Sequence, residues 1–116
     1  MNILVNDNTP QFLTWLAACV GMCDNYMAQN YPNNPKEKLE ASFGTRFIRI
    51  MKRSVDVDQT TQRPFHSSAW AFVDRTNGDV LKPATWKAPA KHARGNIFDE
   101  KNGMGSMGPY GPAYLR

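Results

Sequence analysis

Apolar residues recur at three- and four-residue steps along the first thirty positions of the chain. Thr9 and Pro10 supply a helix N-cap and a first-turn proline, and Pro32 cannot continue a helix. The apolar positions between them are Phe12, Leu16, Cys19, Val20, Cys23, Tyr26 and Met27. The spacing predicts an amphipathic helix that begins at Thr9-Pro10 and ends at Pro32.

The predicted helix carries very little charge. Asp24 is the only charged residue between Pro10 and Tyr31, and further apolar side chains spread around the cylinder at Leu13, Trp15, Ala17, Ala18 and Met22. A helix with so wide an apolar band is usually covered on more than one side. Burial within one core and contact with a second copy of the chain both fit this pattern. We expect a homo-oligomer through this helix, because one small sheet would not cover so much apolar surface.

Beyond Gly44 the apolar period changes from helical to two, which is typical of strands. The segment TRFIRIMKRSV (45–55) predicts a first strand, because its side chains would point alternately to two faces. One face would carry Phe47, Arg49, Met51 and Arg53, and the other would carry Ile48, Ile50 and Lys52. The segment SSAWAFVD (67–74) predicts a second strand, with faces Trp70 and Phe72 against Ala69, Ala71 and Val73. The segment DVLK (79–82) predicts a third strand, which Pro83 ends. Asn77-Gly78 predicts a type I′ hairpin between the last two.

The remaining segments give weaker signals. Residues 35–42 could add a turn of helix, and NILVN (2–6) could add a fourth strand. In APAKHARG (88–95), Pro89 and Gly95 are suited to begin and end a short helix. The tail from Asn102 is rich in Gly and Pro, and we expect Tyr110 and Tyr114 to hold it against the body. The sequence therefore predicts one α+β domain, residues 1–116, with the N-terminal helix packed on a three- to four-stranded antiparallel sheet.

Composition narrows the class of protein. The chain has 116 residues, 41% hydrophobic and 21% charged, with a net charge of +4, which is ordinary for a folded domain and compatible with a phosphate-bearing partner. No apolar run reaches the ~20 residues of a membrane span, and the N-terminus does not read as a signal peptide. Two cysteines four residues apart fit buried thiols in a reducing cytoplasm. We expect no metal, no cofactor and no catalysis, because His66 and His92 accompany no nucleophile motif.

One segment concentrates the candidate chemistry. KPATWKAPAKHARGNIFDE begins at Lys82, and its first sixteen residues hold four cations, one histidine and no acid. Lys87, Lys91 and Arg94 would share a face of the short helix and meet phosphates. Trp86 or Phe98 would stack on a base, Asn96 would read a base edge or ribose hydroxyl, and Arg49 and Arg53 would complete the site from the first long strand. The alternative is a solvated basic face with Trp86 in the core.

The same region carries a resemblance. SAWAFVDRTNGDVLKPATWKAPAKHARGNIFDEKNG, followed by GPYGPAYLR, resembles the C-terminal half of small bacteriophage proteins of unknown function. This resemblance covers residues 67–116 and implies a phage origin and a location in the host bacterial cytoplasm. Size, helix-then-sheet order and the basic-aromatic C-terminal region are also similar to the Thoeris anti-defence proteins. Those phage proteins are oligomeric, and they sequester cyclic ADP-ribose-type or cyclic-dinucleotide signals without cleaving them.

These observations predict a non-catalytic phage protein that binds a phosphorylated nucleotide, such as a cyclic nucleotide immune signal, and holds it unreacted. A DNA- or RNA-binding accessory protein would use the same residues along a phosphate backbone. An inhibitor of a host protein would instead use the apolar helix face. A virion component without a ligand is the fourth alternative.

Overall fold

The computed structural model describes residues 2–113, and its N-terminal part is the predicted helix. Helix α1 spans Pro10–Asn30 and is preceded by Thr9 in an extended conformation. The Thr9 hydroxyl accepts a hydrogen bond from the Asn6 amide at 2.8 Å and does not cap the helix itself. At the other end the Tyr31 amide donates to the Met27 carbonyl, and Pro32 follows.

The sheet has more strands than the sequence predicted. Five strands, β1 (Glu37–Phe43), β2 (Phe47–Ser54), β3 (Ser67–Asp74), β4 (Asp79–Leu81) and β5 (Gly95–Asn96), form one antiparallel sheet in that order. A small second sheet joins β6 (Met107–Gly108) and β7 (Gly111–Pro112). The α+β class and the three strands of the meander are confirmed.

The prediction of a helical turn at residues 35–42 is wrong, because this segment forms β1. Leu39 lies opposite Lys52 of β2, and Ala41 lies opposite Ile50. Pairing with β2 therefore holds this segment in the extended conformation, in which alternate side chains face opposite sides of the sheet. The prediction that residues 2–6 could form a fourth strand is also wrong. The Leu4 and Val5 amides both donate to the Arg75 carbonyl, and this pairing does not extend into a strand.

The predicted short helix at residues 88–95 is absent, because its backbone groups bind elsewhere. The Ala90 amide donates to the Lys82 carbonyl and the Arg94 amide donates to the Val80 carbonyl, each at 2.7 Å. His92 has a positive φ of 71°, which no residue inside an α-helix adopts. The segment is therefore a loop that folds back along β4 and leads into β5.

Two local details of the meander also differ from the prediction. The pairing of β2 with β3 shifts between Ile50 and Met51, so Trp70 is an extra residue in β3 and joins the helix-side core. Trp70 and Phe72 consequently do not share a face. In the hairpin only Gly78 has a positive φ, of 85°, and its amide donates to the Asp74 carbonyl. The hairpin is confirmed, but its loop is longer than a type I′ turn.

An apolar core lies between α1 and the sheet. It includes Val5, Phe12, Trp15, Cys19, Cys23, Ile48, Ile50, Trp70, Ala71, Val73, Val80 and Ile97. The opposite side of the helix stays open, and Leu13 is 49% exposed. Among the described residues, no helix combines the length and apolarity needed to cross a bilayer.

The tail closes this core through one carbonyl. The Pro109 oxygen accepts hydrogen bonds from Lys52 Nζ and Trp70 Nε1, both at 3.2 Å, and from Cys23 Sγ at 3.6 Å. The Tyr110 ring lies 5.7 Å from the Lys52 ammonium. The tail thus joins α1, β2 and β3. Tyr110 contacts the body of the protein, as the sequence predicts. Tyr114, for which the same contact is predicted, lies outside the described residues.

Candidate functional site: a basic and aromatic surface

Two of the predicted site residues meet on the side of the sheet that faces away from α1. The Arg49 guanidinium carbon lies 4.6 Å from the centre of the Trp86 ring, and Arg49 Nη1 donates to the Trp86 carbonyl at 3.3 Å. Trp86 is 38% exposed, so its indole lies on the surface and outside the core. Arg49 Nε is buried and has no hydrogen-bond partner within residues 2–113. A cation and an aromatic ring are therefore held together at the surface.

The loop that carries Trp86 also presents two exposed lysines. The Thr85 hydroxyl accepts hydrogen bonds from the Lys87 and Ala88 amides, which fixes the backbone directly after Trp86. Lys87 and Lys91 are exposed, and within residues 2–113 neither ammonium group has a hydrogen bond or ion pair. Both side chains are available to an anionic partner. We call Arg49, Trp86, Lys87 and Lys91 together the basic surface.

Arg94 and Asn96 have roles inside the fold. Arg94 donates from Nη1 to the carbonyls of Lys91 and His92 and from Nε to the Ala113 carbonyl. These bonds join the loop to the tail and occupy much of the guanidinium. Asn96 Nδ2 donates to the Asn77 carbonyl at 2.8 Å and to Asp79 Oδ1 at 3.1 Å.

Phe98 lies in the turn that follows β5. Its amide donates to Asn96 Oδ1 at 2.8 Å, and its exposed ring covers Gly78, where a Cβ would lie only 2.6 Å from a ring carbon. The ring therefore serves the packing of the hairpin loop, although one side of it remains open to solvent.

Arg53 lies on the same side of the sheet as Arg49 but is engaged by its neighbours. Arg53 Nε donates to Ser67 Oγ at 3.0 Å, and Nη1 lies 3.4 Å from Glu40 Oε2. The hydrogen bond from Lys38, with the positive charge of Arg53 nearby, lowers the pKa of Glu40 below its ordinary value. The structure thus gives Arg53 an acidic partner, whereas Lys87 and Lys91 have none among the described residues.

The histidines and the cysteines differ in burial: both histidines are exposed and both cysteines are buried. His66 and His92 are both exposed and lie in separate loops. Burial raises the pKa values of both Cys19 and Cys23, so little thiolate is present at neutral pH. Within the described part of the chain, no group of three or more His, Cys, Asp or Glu side chains could hold a metal ion.

The sequence did not reveal a groove on the opposite side of the sheet. This groove, of about 440 Å³, lies between the C-terminal end of α1 and the start of β1, and its wall includes Cys23, Met27, Tyr31, Pro35 and Lys52. It depends on β1 lying beside the helix end. The sequence pattern at residues 35–42 favours a helical turn, so it gives no indication of a groove that requires β1.

The fold and this surface define a small α+β protein with an exposed basic and aromatic loop. The chain belongs to the Family of unknown function (DUF7717), whose model matches residues 5–108. No curated protein matches the chain. No solved structure matches it either.

Proposed function

We propose that this chain is a non-catalytic binding protein that recognises the phosphates and bases of nucleotides through the basic surface. The observation that carries the proposal is the stack of Arg49 on the exposed Trp86, in the same loop as Lys87 and Lys91, which have no acidic partner among residues 2–113. Aromatic rings that stack on bases and cations that follow phosphates are the two parts of a general nucleotide-binding surface.

The open shape favours a strand of nucleic acid as the ligand. Small-molecule sites commonly bury 70–90% of their ligand, roughly, inside a concavity. Lys87 and Lys91 are exposed instead, in the loop that connects β4 to β5. A single strand could stack one base on Trp86 and follow the two ammonium groups with its backbone.

A free phosphorylated nucleotide is the second candidate, and one contact favours it. Arg49 Nε is a buried donor without an acceptor, directly beside the Trp86 ring. A small displacement of the indole would expose this donor to a compact phosphate. A phage-encoded protein that holds a nucleotide immune signal in the host cytoplasm would use such a pocket.

Fluorescence anisotropy with a labelled oligothymidylate of about 15 nucleotides, repeated at several salt concentrations, tests the first candidate. We expect Lys91→Glu to weaken binding and to reduce the slope of log K against log salt by about 0.7, one phosphate contact. Trp86→Ala should weaken binding by roughly tenfold with little change of slope, because it removes a stacked base. Lys101→Glu, the same charge change at another exposed position, is the control.

Calorimetry with a cyclic dinucleotide and with cyclic ADP-ribose tests the second candidate on the same proteins. Saturable binding of one nucleotide per chain, with a shallow salt dependence, would identify the free nucleotide as the ligand. The absence of binding to all three probes at low salt would refute the proposed function. An equal loss of binding in Lys101→Glu and Lys91→Glu would refute the role of the basic surface.

A further inference from the structure

Strand β1 (Glu37–Phe43) lies at one edge of the five-stranded sheet, and β2 is its one strand partner among the described residues. The Gly44 amide donates to the Phe47 carbonyl and the Val55 amide to the Lys36 carbonyl. Because hydrogen-bonded positions alternate along an antiparallel pair, the even-numbered residues of β1 bond to β2. The outward backbone groups belong to Glu37, Leu39, Ala41 and Phe43. Within residues 2–113 none of these groups has a backbone partner on that side.

We propose that this edge pairs with the β1 edge of a second copy of the chain, antiparallel, about a two-fold axis at Leu39. In that register each Leu39 exchanges two backbone hydrogen bonds with its twin. Glu37 and Ala41 do the same with each other on either side, giving about six hydrogen bonds. The two sheets would continue as one across the axis.

Charge selects this register among the alternatives. An axis at Glu40 would place two glutamates opposite each other, and an axis at Lys38 would place two lysines opposite each other. An axis at Ala41 would leave Lys38 and Glu40 without opposite charges. The axis at Leu39 places Lys38 opposite Glu40 of the second copy, twice, in positions where side chains approach most closely. The intrachain ion pair of Lys38 and Glu40, at 2.9 Å, shows that both charges already lie on the same side of the strand.

The helix side of the same edge is apolar. Leu39 points toward α1, and together with the exposed Val20 it lines a narrow groove of about 150 Å³ between the helix and β1. In the proposed pair this surface lies beside its twin across the axis. The second copy would therefore extend the sheet and cover the flank of α1 that carries Val20.

Sedimentation velocity on the native chain and on two charge variants tests the proposal. Lys38→Glu places a new carboxylate against Glu40 of the second copy, and Glu40→Lys places lysines together. Each variant alone should dimerise about tenfold more weakly than the native chain. An equimolar mixture of the two variants restores opposite charges across the axis, so the mixture should dimerise about as tightly as the native chain. A change that acted only within one chain would not be rescued by mixing.

Lys36→Glu is the matched control, because Lys36 faces Ser42 in the proposed register and should leave dimerisation unchanged. A stronger effect of Lys36→Glu than of Lys38→Glu would overturn the register, since Lys36 faces Glu40 only when the axis lies at Lys38. A native chain that stays monomeric at high concentration would overturn the edge pairing, as would variants that stay monomeric on mixing. If Leu13→Glu abolishes dimerisation and Lys38→Glu does not, the dimer contact lies on the open side of α1 and the edge pairing is wrong. Circular dichroism confirms that each variant is folded.

Discussion

Replacing Asp74 by asparagine tests whether the hairpin depends on a buried negative charge. Asp74 is the last residue of β3 and is 3% exposed. Its Oδ1 accepts hydrogen bonds from the Thr76 hydroxyl at 2.6 Å and the Thr76 amide at 2.9 Å, while its Oδ2 faces Arg46 Nη2 at 3.1 Å. Asparagine keeps the shape and one acceptor, but its amide would place a donor opposite the guanidinium.

The expected loss at neutral pH is about 1–2 kcal/mol in the free energy of unfolding. Hydrogen bonds to a charged group contribute about 1.5–3 kcal/mol, but Arg46 is half exposed, so solvent screens its share. Asp74→Ala removes the oxygen that accepts both hydrogen bonds from Thr76, as well as the partner of Arg46, and should cost about 3 kcal/mol. Urea unfolding followed by tryptophan fluorescence measures both variants.

The pH dependence gives a second test of the same charge. Burial would raise the pKa of Asp74, but the hydrogen bonds from Thr76 and the Arg46 guanidinium outweigh it and hold the pKa below its ordinary value. A carboxyl group whose pKa is lower in the folded state than in the unfolded state stabilises the fold at pH values above the unfolded-state pKa, which is about 3.9 for Asp. This stabilisation is lost as the pH falls through the folded-state pKa. The difference between the native chain and Asp74→Asn should therefore shrink below about pH 4.

Asp7→Asn, at an exposed position, is the control and should change stability by less than about 0.5 kcal/mol. The reasoning fails if Asp74→Asn is as stable as the native chain at neutral pH. It also fails if the difference between them is the same at acid and neutral pH.

Two further predictions concern the core and its closure. Gly111→Ala should cost about 2 kcal/mol or more, because φ is 102° and the new Cβ would lie 2.5 Å from the Trp70 carbonyl oxygen. Gly21→Ala is the control and should be neutral or stabilising, because Gly21 lies inside α1 and a Cβ there would meet nothing within 4 Å. Equal melting temperatures of Gly111→Ala and Gly21→Ala would contradict the prediction for Gly111. In the native chain Cys19 and Cys23 should react slowly with a thiol reagent near neutral pH, because burial raises both pKa values. Fast reaction that does not increase on unfolding would contradict their burial.

The parts of the fold with strong local periodicity could be predicted from the sequence. Helix α1, β2, β3 and the Asn77-Gly78 hairpin each combine a clear apolar period with recognisable end signals. The start of β1 could not be predicted, because Lys and Glu are good helix formers and only pairing with β2 decides the outcome. At 88–95 the end signals Pro89 and Gly95 were present, but eight residues are too few to hold a helix without packing.

The candidate site was predictable as a set of residue types but not as a geometry. Arg49 and Trp86 are 37 residues apart, and the sequence supplied the cation and the indole without showing their contact. Arg94 and Asn96 looked equally available in the sequence. Their engagement depends on where the tail and the hairpin loop run, and local patterns do not contain that information.

The Pro109 carbonyl that joins α1, β2 and β3 has a consequence for how the molecule is made. The bond from Cys23 spans 86 residues of sequence, and contacts of such separation slow folding. Until residue 109 has left the ribosome, the Trp70 indole N–H and the Lys52 ammonium lack this acceptor. The contact between the tail and α1 cannot form before then either. The tertiary structure can therefore be completed only late in synthesis, after translation of nearly all of the described chain.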